Sequence, residues 1–219
     1  MRINERFKDA PWYEQCTKEK IVIVGLGGIG SNTVYCLSKT IPCTYFLVDM
    51  DVVNEINLGT QFFNRNQIGK SKVEAIKDTM STQSLATINV FNHKYMNEYT
   101  PIIVTGLDNM KTRKEVYEEW KKHDDRELLI DGRLRANYYE IYAVTPNTQE
   151  DYEKTLFDDS EVSEGPCTFK QTAYFGMLIG ARITHILVNY LTNKYTGIDV
   201  CYVPFKINEF GELFMFETI

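Results

Sequence analysis

Six residues near the start of the chain, Gly25-Leu26-Gly27-Gly28-Ile29-Gly30, have the composition of an anion-binding turn. Glycine permits positive φ and lets phosphate oxygens reach main-chain N–H groups with no Cβ in the way. A helix opening at that turn adds unpaired N–H donors and a partial positive charge, both of which favour an anion. Asp49 follows about 20 residues later, where a nucleotide-binding fold places a carboxylate on a ribose hydroxyl pair. Together these residues describe a site for an adenosine nucleotide. The spacing does not separate NAD from ATP.

The residues after Asp49 favour the triphosphate. Asn57, Gln61 and Lys70 lie in a polar stretch for which a dehydrogenase has no need. Attack on an α-phosphate gathers negative charge, and stabilising that charge takes cations and amide donors fixed in place beforehand. Lys70 is the expected cation and Asn57 and Gln61 the expected amides. Asp108 is the expected ligand of a Mg²⁺ ion bridging phosphate oxygens.

The elements that position these residues alternate short β-branched runs with longer amphipathic stretches, the pattern of β-α-β units and a mostly parallel sheet. Ile21–Val24 is a continuous apolar run, as expected of a strand covered on both faces. A helix is expected from Gly28 to about Lys39, a strand over Tyr45–Val48 and a helix over Lys70–Met80. Strands are then expected at Thr87–Phe91, Ile102–Val104 and Leu128–Ile130, with a charged helix over Met110–Lys122. Beyond Asp131 the texture changes. Tyr138–Val144 reads as a strand stopped by Pro146, and the acidic stretch 158–166 as an exposed loop.

Ala173, Met177, Gly180, Thr184, Leu187, Val188 and Leu191 recur at helical spacing and predict a long helix over 169–192. Gly176 and Gly180, one turn apart, let another backbone come close; that helix would cover the sheet or a subunit interface. Val200–Ile207 and Leu213–Phe216 read as two strands of a hairpin. Cys167 follows the acidic loop and precedes the long helix, where a helix terminus favours a thiolate nucleophile. The alternative is a small packing residue. The other cysteines, Cys16, Cys36, Cys43 and Cys201, read as packing residues.

The net charge is −6, from 24 basic and 30 acidic residues, which argues against a nucleic-acid footprint. No apolar run reaches the length of a membrane span, and the polar N-terminus does not read as a secretory signal. Five cysteines, an odd number with no C-x-x-C pair, argue against a disulfide framework or a paired zinc site. A cytoplasmic location is the expectation.

Five segments in register resemble the ThiF/MoeB/HesA adenylyltransferases, the superfamily that includes the ubiquitin-activating enzymes. They are Gly25–Asn32 (GLGGIGSN), Val48–Val53 (VDMDVV), Asn57–Gln61 (NLGTQ), Ile68–Ala75 (IGKSKVEA) and Leu107–Arg113 (LDNMKTR). The resemblance implies a Rossmann-like α/β fold with helices on both faces of the sheet and antiparallel C-terminal strands. It implies a single adenylation domain over 1–219, with an arm (1–19), a nucleotide-binding core (20–131) and a C-terminal part (132–219). It also implies use of ATP and Mg²⁺ to adenylate the C-terminal carboxylate of a ubiquitin-like or sulfur-carrier protein. By position, Gly25, Gly27, Gly28 and Gly30 cradle the nucleotide, Asp49 binds ribose, and Asp51 belongs to the same set. Asn57 and Gln61 line the phosphate site, Lys70 contacts phosphate and Asp108 holds Mg²⁺. Gly165-Pro166-Cys167-Thr168 resembles the Cys-Thr that bears a thioester in ubiquitin-activating enzymes. The smaller members are homodimers, and a homodimer is expected.

The chain departs from the family pattern in three places. Thr60 stands where the family has an arginine; Arg65, or Arg2 or Arg6 reaching across a dimer interface, would replace it. The zinc-binding cysteine pairs of the ThiF and MoeB branches are absent, and with 219 residues a separate cysteine domain is not expected. Two other functions fit parts of the pattern. An NAD-dependent oxidoreductase would use the glycine loop and Asp49 but leave IGKSK and LDN unexplained. A catalytically impaired nucleotide-binding scaffold would account for Thr60.

Overall fold

The structure is a computed structural model and describes residues 7–135, 138–158 and 173–210. Strand β1 (Lys20–Val24) forms from the Ile-Val-Ile-Val run. Its side chains alternate between two cores: Ile21 and Ile23 face one, Val22 and Val24 the other. Burying each contributes about 1.5–3 kcal/mol, so the strand is secured from both faces.

Helix α2 (Gly28–Thr40) carries the chain back so that β2 (Thr44–Val48) pairs in parallel with β1, Ile21 opposite Tyr45. Helix α3 (Lys72–Ser81) precedes β3 (Thr87–Phe91), which pairs in parallel with the outer edge of β2. The chain then crosses to the other side of β1. Strand β4 (Ile102–Thr105) pairs with β1, helix α4 (Met110–Lys121) follows, and β5 (Leu128–Arg135) pairs with β4. Strands β6 (Tyr138–Val144) and β7 (Lys206–Phe210) extend the sheet antiparallel, giving the order β3-β2-β1-β4-β5-β6-β7. This is the mostly parallel α/β architecture that the sequence predicts.

Among the described elements, short α1 (Tyr13–Cys16), α2, α3 and the long helix that follows 172 supply residues to the core on one face. Helix α4 and short α5 (Gln149–Glu153) cover the other face through Val116, Tyr117, Trp120 and Tyr152. The long helix, α6 (Ala173–Thr196), packs on α2. The contact is backbone to backbone: a Cβ on Gly176 would lie 2.5 Å from the Gly28 carbonyl oxygen, and one on Gly180 2.9 Å from the Thr33 nitrogen. At its far end, the Lys194 ammonium donates to Glu19 at 2.7 Å and to Glu127 at 2.8 Å, tying α6 to the starts of β1 and β5.

Strand β5 runs on to Arg135, past the expected end at Ile130, and α6 runs to Thr196, past 192; two further elements also differ from the sequence expectation. Helix α3 starts at Lys72 and not at Lys70, because Gly69 takes φ +88° and Ser71 stays extended as the N-cap. The expected strand Val200–Ile207 contributes only its end to β7: Pro204 has no N–H to donate, and Val200 and Tyr202 are exposed. Its expected hairpin partner, Leu213–Phe216, lies outside the described residues; β7 pairs with β6. No described helix is long and apolar enough to cross a membrane.

Candidate active site

The strand order reverses between β1 and β4, and in open α/β sheets ligands bind outside the carboxyl ends of the strands at such a point. A cleft of about 580 Å³ opens there. Its floor is the turn from β1 into α2, lined by Gly25, Gly27 and Gly28. Gly25 adopts φ +84°, which a side chain would strain. Gly30 stands behind the floor, not in its lining: its missing Cβ would sit 1.7 Å from the Gly25 carbonyl oxygen, so only glycine lets helix and turn close up. The first N–H groups of α2 have no acceptor within the helix and are donors for an anion.

Asp49, at the end of β2, lines the cleft. Its carboxylate accepts the Leu26 N–H at 2.6 Å and the Asp51 N–H at 2.7 Å, which fixes it beside the glycine turn. Segments 51–53 and 70–72 run antiparallel, with Lys72 N–H donating to the Asp51 carbonyl and Val53 N–H to the Lys70 carbonyl, both at 2.9 Å. This register sets Lys72 beside Asp51, and their side chains pair at 2.7 Å. Both line the cleft. Lys70 does not: it is half exposed, and its ammonium donates to Asp78 at 3.0 Å. The structure therefore brings Lys72 to the site in the place the sequence reading gave to Lys70.

Asn57 and Gln61 also line the cleft. The Asn57 side-chain oxygen accepts the Asn54 N–H at 2.8 Å, capping a 3-10 turn (Glu55–Gly59), and its amide nitrogen bonds nothing among the described residues. The side-chain oxygen of Gln61 is buried without a partner among the described residues, an acceptor that a ligand or water donor would satisfy. Neither Thr60 nor Arg65 is among the residues that line the cleft. Arg2 and Arg6 lie outside the described residues, as does Cys167. Among the described residues, the cations that line the cleft are Lys72, Lys94 and Lys111, with His93 also in the lining. Sequence spacing gave no signal for Lys94 or Lys111.

Asp108 follows β4 and is exposed at the cleft, accepting the Asn109 side-chain amide at 3.1 Å. Mg²⁺ is commonly held by one or two carboxylates together with substrate phosphates, and an exposed carboxylate facing the glycine turn fits that need. Asn109 in turn caps α4, accepting the Thr112 N–H at 2.8 Å.

Behind this turn lies a charged cluster that sequence reading missed. Asp131, fully buried near the middle of β5, is paired with Arg113 at 2.8 Å and Arg133 at 2.7 Å. Burial alone would raise its carboxyl; the two guanidiniums outweigh burial and hold it below the ordinary carboxylate range. Elsewhere, burial, reinforced by Glu19, pushes the Cys16 thiol up to about 12, and burial raises Cys43 as well. Neither thiol ionises near neutral pH.

The ThiF family model matches residues 3–210. The chain belongs to the ThiF family. This ThiF chain is 26% identical over 221 residues to ubiquitin-like modifier-activating enzyme 5 of Aedes aegypti, covering 85% of the chain and 54% of that protein. It thus spans about half the length of this curated relative. Among solved structures, it resembles PaaA with a TM-score of 0.71 and 19% identity, covering 95% of this chain and 69% of that one. It resembles E. coli MccB, solved with ATP, with a TM-score of 0.65 and 18% identity, covering 84% of this chain and 59% of that one. MccB has also been solved with MccA. At these identities the structural neighbours speak to the fold.

Proposed function

We propose that this chain is an ATP-dependent activating enzyme that adenylates the C-terminal carboxylate of a ubiquitin-like or sulfur-carrier protein. The observation that carries the reading is the convergence of helix-terminal amides, Asp49, Lys72 and Asp108 on one strand-end cleft. Membership of the ThiF family, the likeness to an activating enzyme, and a structural neighbour solved with ATP support it.

In this reading Asp49 grips the ribose hydroxyls, and the first amides of α2 receive the phosphates. The partner's carboxylate, already charged, attacks the α-phosphorus; a new O–P bond forms, the bond to the β-phosphate oxygen breaks, and pyrophosphate leaves with the electron pair. No proton moves, so the chain supplies positioning and charge and not a general base. Lys72 and the side-chain amide of Asn57 face the charge that gathers at the α-phosphate. Asp108 would hold Mg²⁺, which when bound neutralises phosphate charge.

In a second step of the same reading the Cys167 thiolate attacks the acyl-adenylate carbonyl; a C–S bond forms, the acyl C–O bond to the phosphate breaks, and AMP leaves with the electron pair. The partner copy in a homodimer is a further part, supported by apolar side chains that α6 leaves exposed: Tyr174, Met177 and Leu178.

Exchange of labelled pyrophosphate into ATP is expected only when the cognate carboxylate protein is added. Cys167→Ala is expected to leave exchange intact and abolish any thioester. A thioester surviving in Cys167→Ala removes the cysteine assignment. Nucleotide binding with no exchange against any carboxylate partner would instead identify a scaffold, and tight NADH binding an oxidoreductase.

A further inference from the structure

We propose that Arg113 is a positioning residue that holds the Gly106–Asp108 turn against the glycine loop, and that Asp131 locks Arg113 in place. The inference rests on the reading of the cleft as an ATP site, and concerns a residue outside the cleft lining.

The Asp108 side chain is exposed, so no packing fixes it; its place is set by the backbone that carries it. That backbone lies hard against the nucleotide floor. A Cβ on Gly106 would come within 2.9 Å of the Gly30 nitrogen, and one on Gly25 within 2.9 Å of the Gly106 carbonyl oxygen. Any movement of the turn therefore changes the distance between Asp108 and the phosphate-binding amides. Arg113 reaches the turn from α4: Nη2 donates to the Leu107 carbonyl at 2.6 Å while Nε donates to Asp131 Oδ1 at 2.8 Å.

Asp131 cannot swing away. Its Oδ1 also accepts Thr105 Oγ1 at 2.8 Å, and its Oδ2 accepts Arg133 Nε at 2.7 Å and the Tyr152 hydroxyl at 2.9 Å. Four bonds occupy the acceptor capacity of an ionised carboxylate. Arg133 is anchored in turn, both of its terminal nitrogens bonding Thr155 at 3.0 Å. The planar guanidinium of Arg113 spans carbonyl and carboxylate together; an ammonium is a single point and does not.

The test is calorimetric titration of ATP into the full chain with and without Mg²⁺, for the wild type and Arg113→Lys. Arg113→Lys is expected to lose about tenfold of the affinity that Mg²⁺ adds, the size seen when a partner that orients a metal ligand is removed. Magnesium-free affinity is expected to change by less than about twofold, since the glycine loop and Asp49 are untouched. Tyr152→Phe deletes one of the four bonds on Asp131 and leaves both guanidiniums, so the same selective loss is expected in smaller measure. If Arg113→Lys does not fold, Tyr152→Phe decides on the same two titrations. Unchanged magnesium dependence, or an equal loss with and without the ion, overturns the inference. A wild type that binds ATP with magnesium dependence but never exchanges pyrophosphate sinks the adenylating reading and leaves this inference standing; one that binds no ATP overturns both.

Discussion

Lys72→Ala is expected to lower carboxylate-dependent ATP–pyrophosphate exchange by about 10²- to 10³-fold, the loss typical of removing one preorganised charge-stabilising group. Lys70→Ala, two residues away, is expected to change it by less than about twofold, as for a solvated surface pair. The contrast follows from where the two ammonium groups sit. The Lys72 side chain is 7% exposed, lines the cleft and is oriented by Asp51 at 2.7 Å. Lys70 is 51% exposed and bound to Asp78 on the outer surface of α3. Asp51 is itself 55% exposed, so water can replace its lost partner, and thermal melts separate any loss of packing around the Lys72 stem from the loss of exchange. Measured exchange rates for both variants, with thermal melts alongside, check this. Equal losses, or a larger one for Lys70→Ala, would refute the assignment of Lys72.

The second large effect concerns folding. Gly30→Ala is expected to cost more than about 3 kcal/mol, a large part of a typical domain's stability of about 5–15 kcal/mol. An added methyl would overlap the Gly25 carbonyl oxygen at 1.7 Å, and relief requires α2 to lift away from the end of β1. That movement would break the Gly25 N–H bond to the Val48 carbonyl and the Leu26 N–H bond to Asp49. Gly27→Ala is the matched control. A Cβ there meets nothing within 4 Å, so the fold should be nearly unaffected while a methyl enters the cleft and weakens ATP binding. Thermal denaturation of the two variants distinguishes them; a Gly30→Ala protein melting with the wild type would contradict the packing.

The central strands β1 and β4 were legible because they are buried on both faces and so read as unbroken apolar runs. Thr87–Phe91 and Tyr138–Val144 have the expected bounds. Val200–Ile207 misled because β-branched residues occur there in an exposed approach to β7 and not within a strand. In the cleft, the glycine loop, Asp49 and Asp108 could be placed because each follows a strand end, whereas Asn57 and Gln61 rested on their side-chain chemistry and the family resemblance, and Asp51 on the resemblance alone. The choice between Lys70 and Lys72 could not. It depends on the register of 70–72 against 51–53, a tertiary contact with no trace in spacing. The Asp131 cluster was hidden for a related reason: Arg113 and Thr105 lie 18 and 26 residues away in sequence and meet only once β4, α4 and β5 are assembled.

The depth of that cluster has a practical consequence. Charges in contact and shut off from solvent feel little of the ionic atmosphere, whereas those lining an open cleft are screened. Raising the ionic strength from 0.1 M to 1 M shortens the Debye length from about 10 Å to about 3 Å. Concentrated sodium chloride should therefore strip nucleotide carried through purification while the scaffold around Asp131 stays assembled. If the cleft carries nucleotide as proposed, washing is expected to give the empty protein, with no denaturant and no refolding.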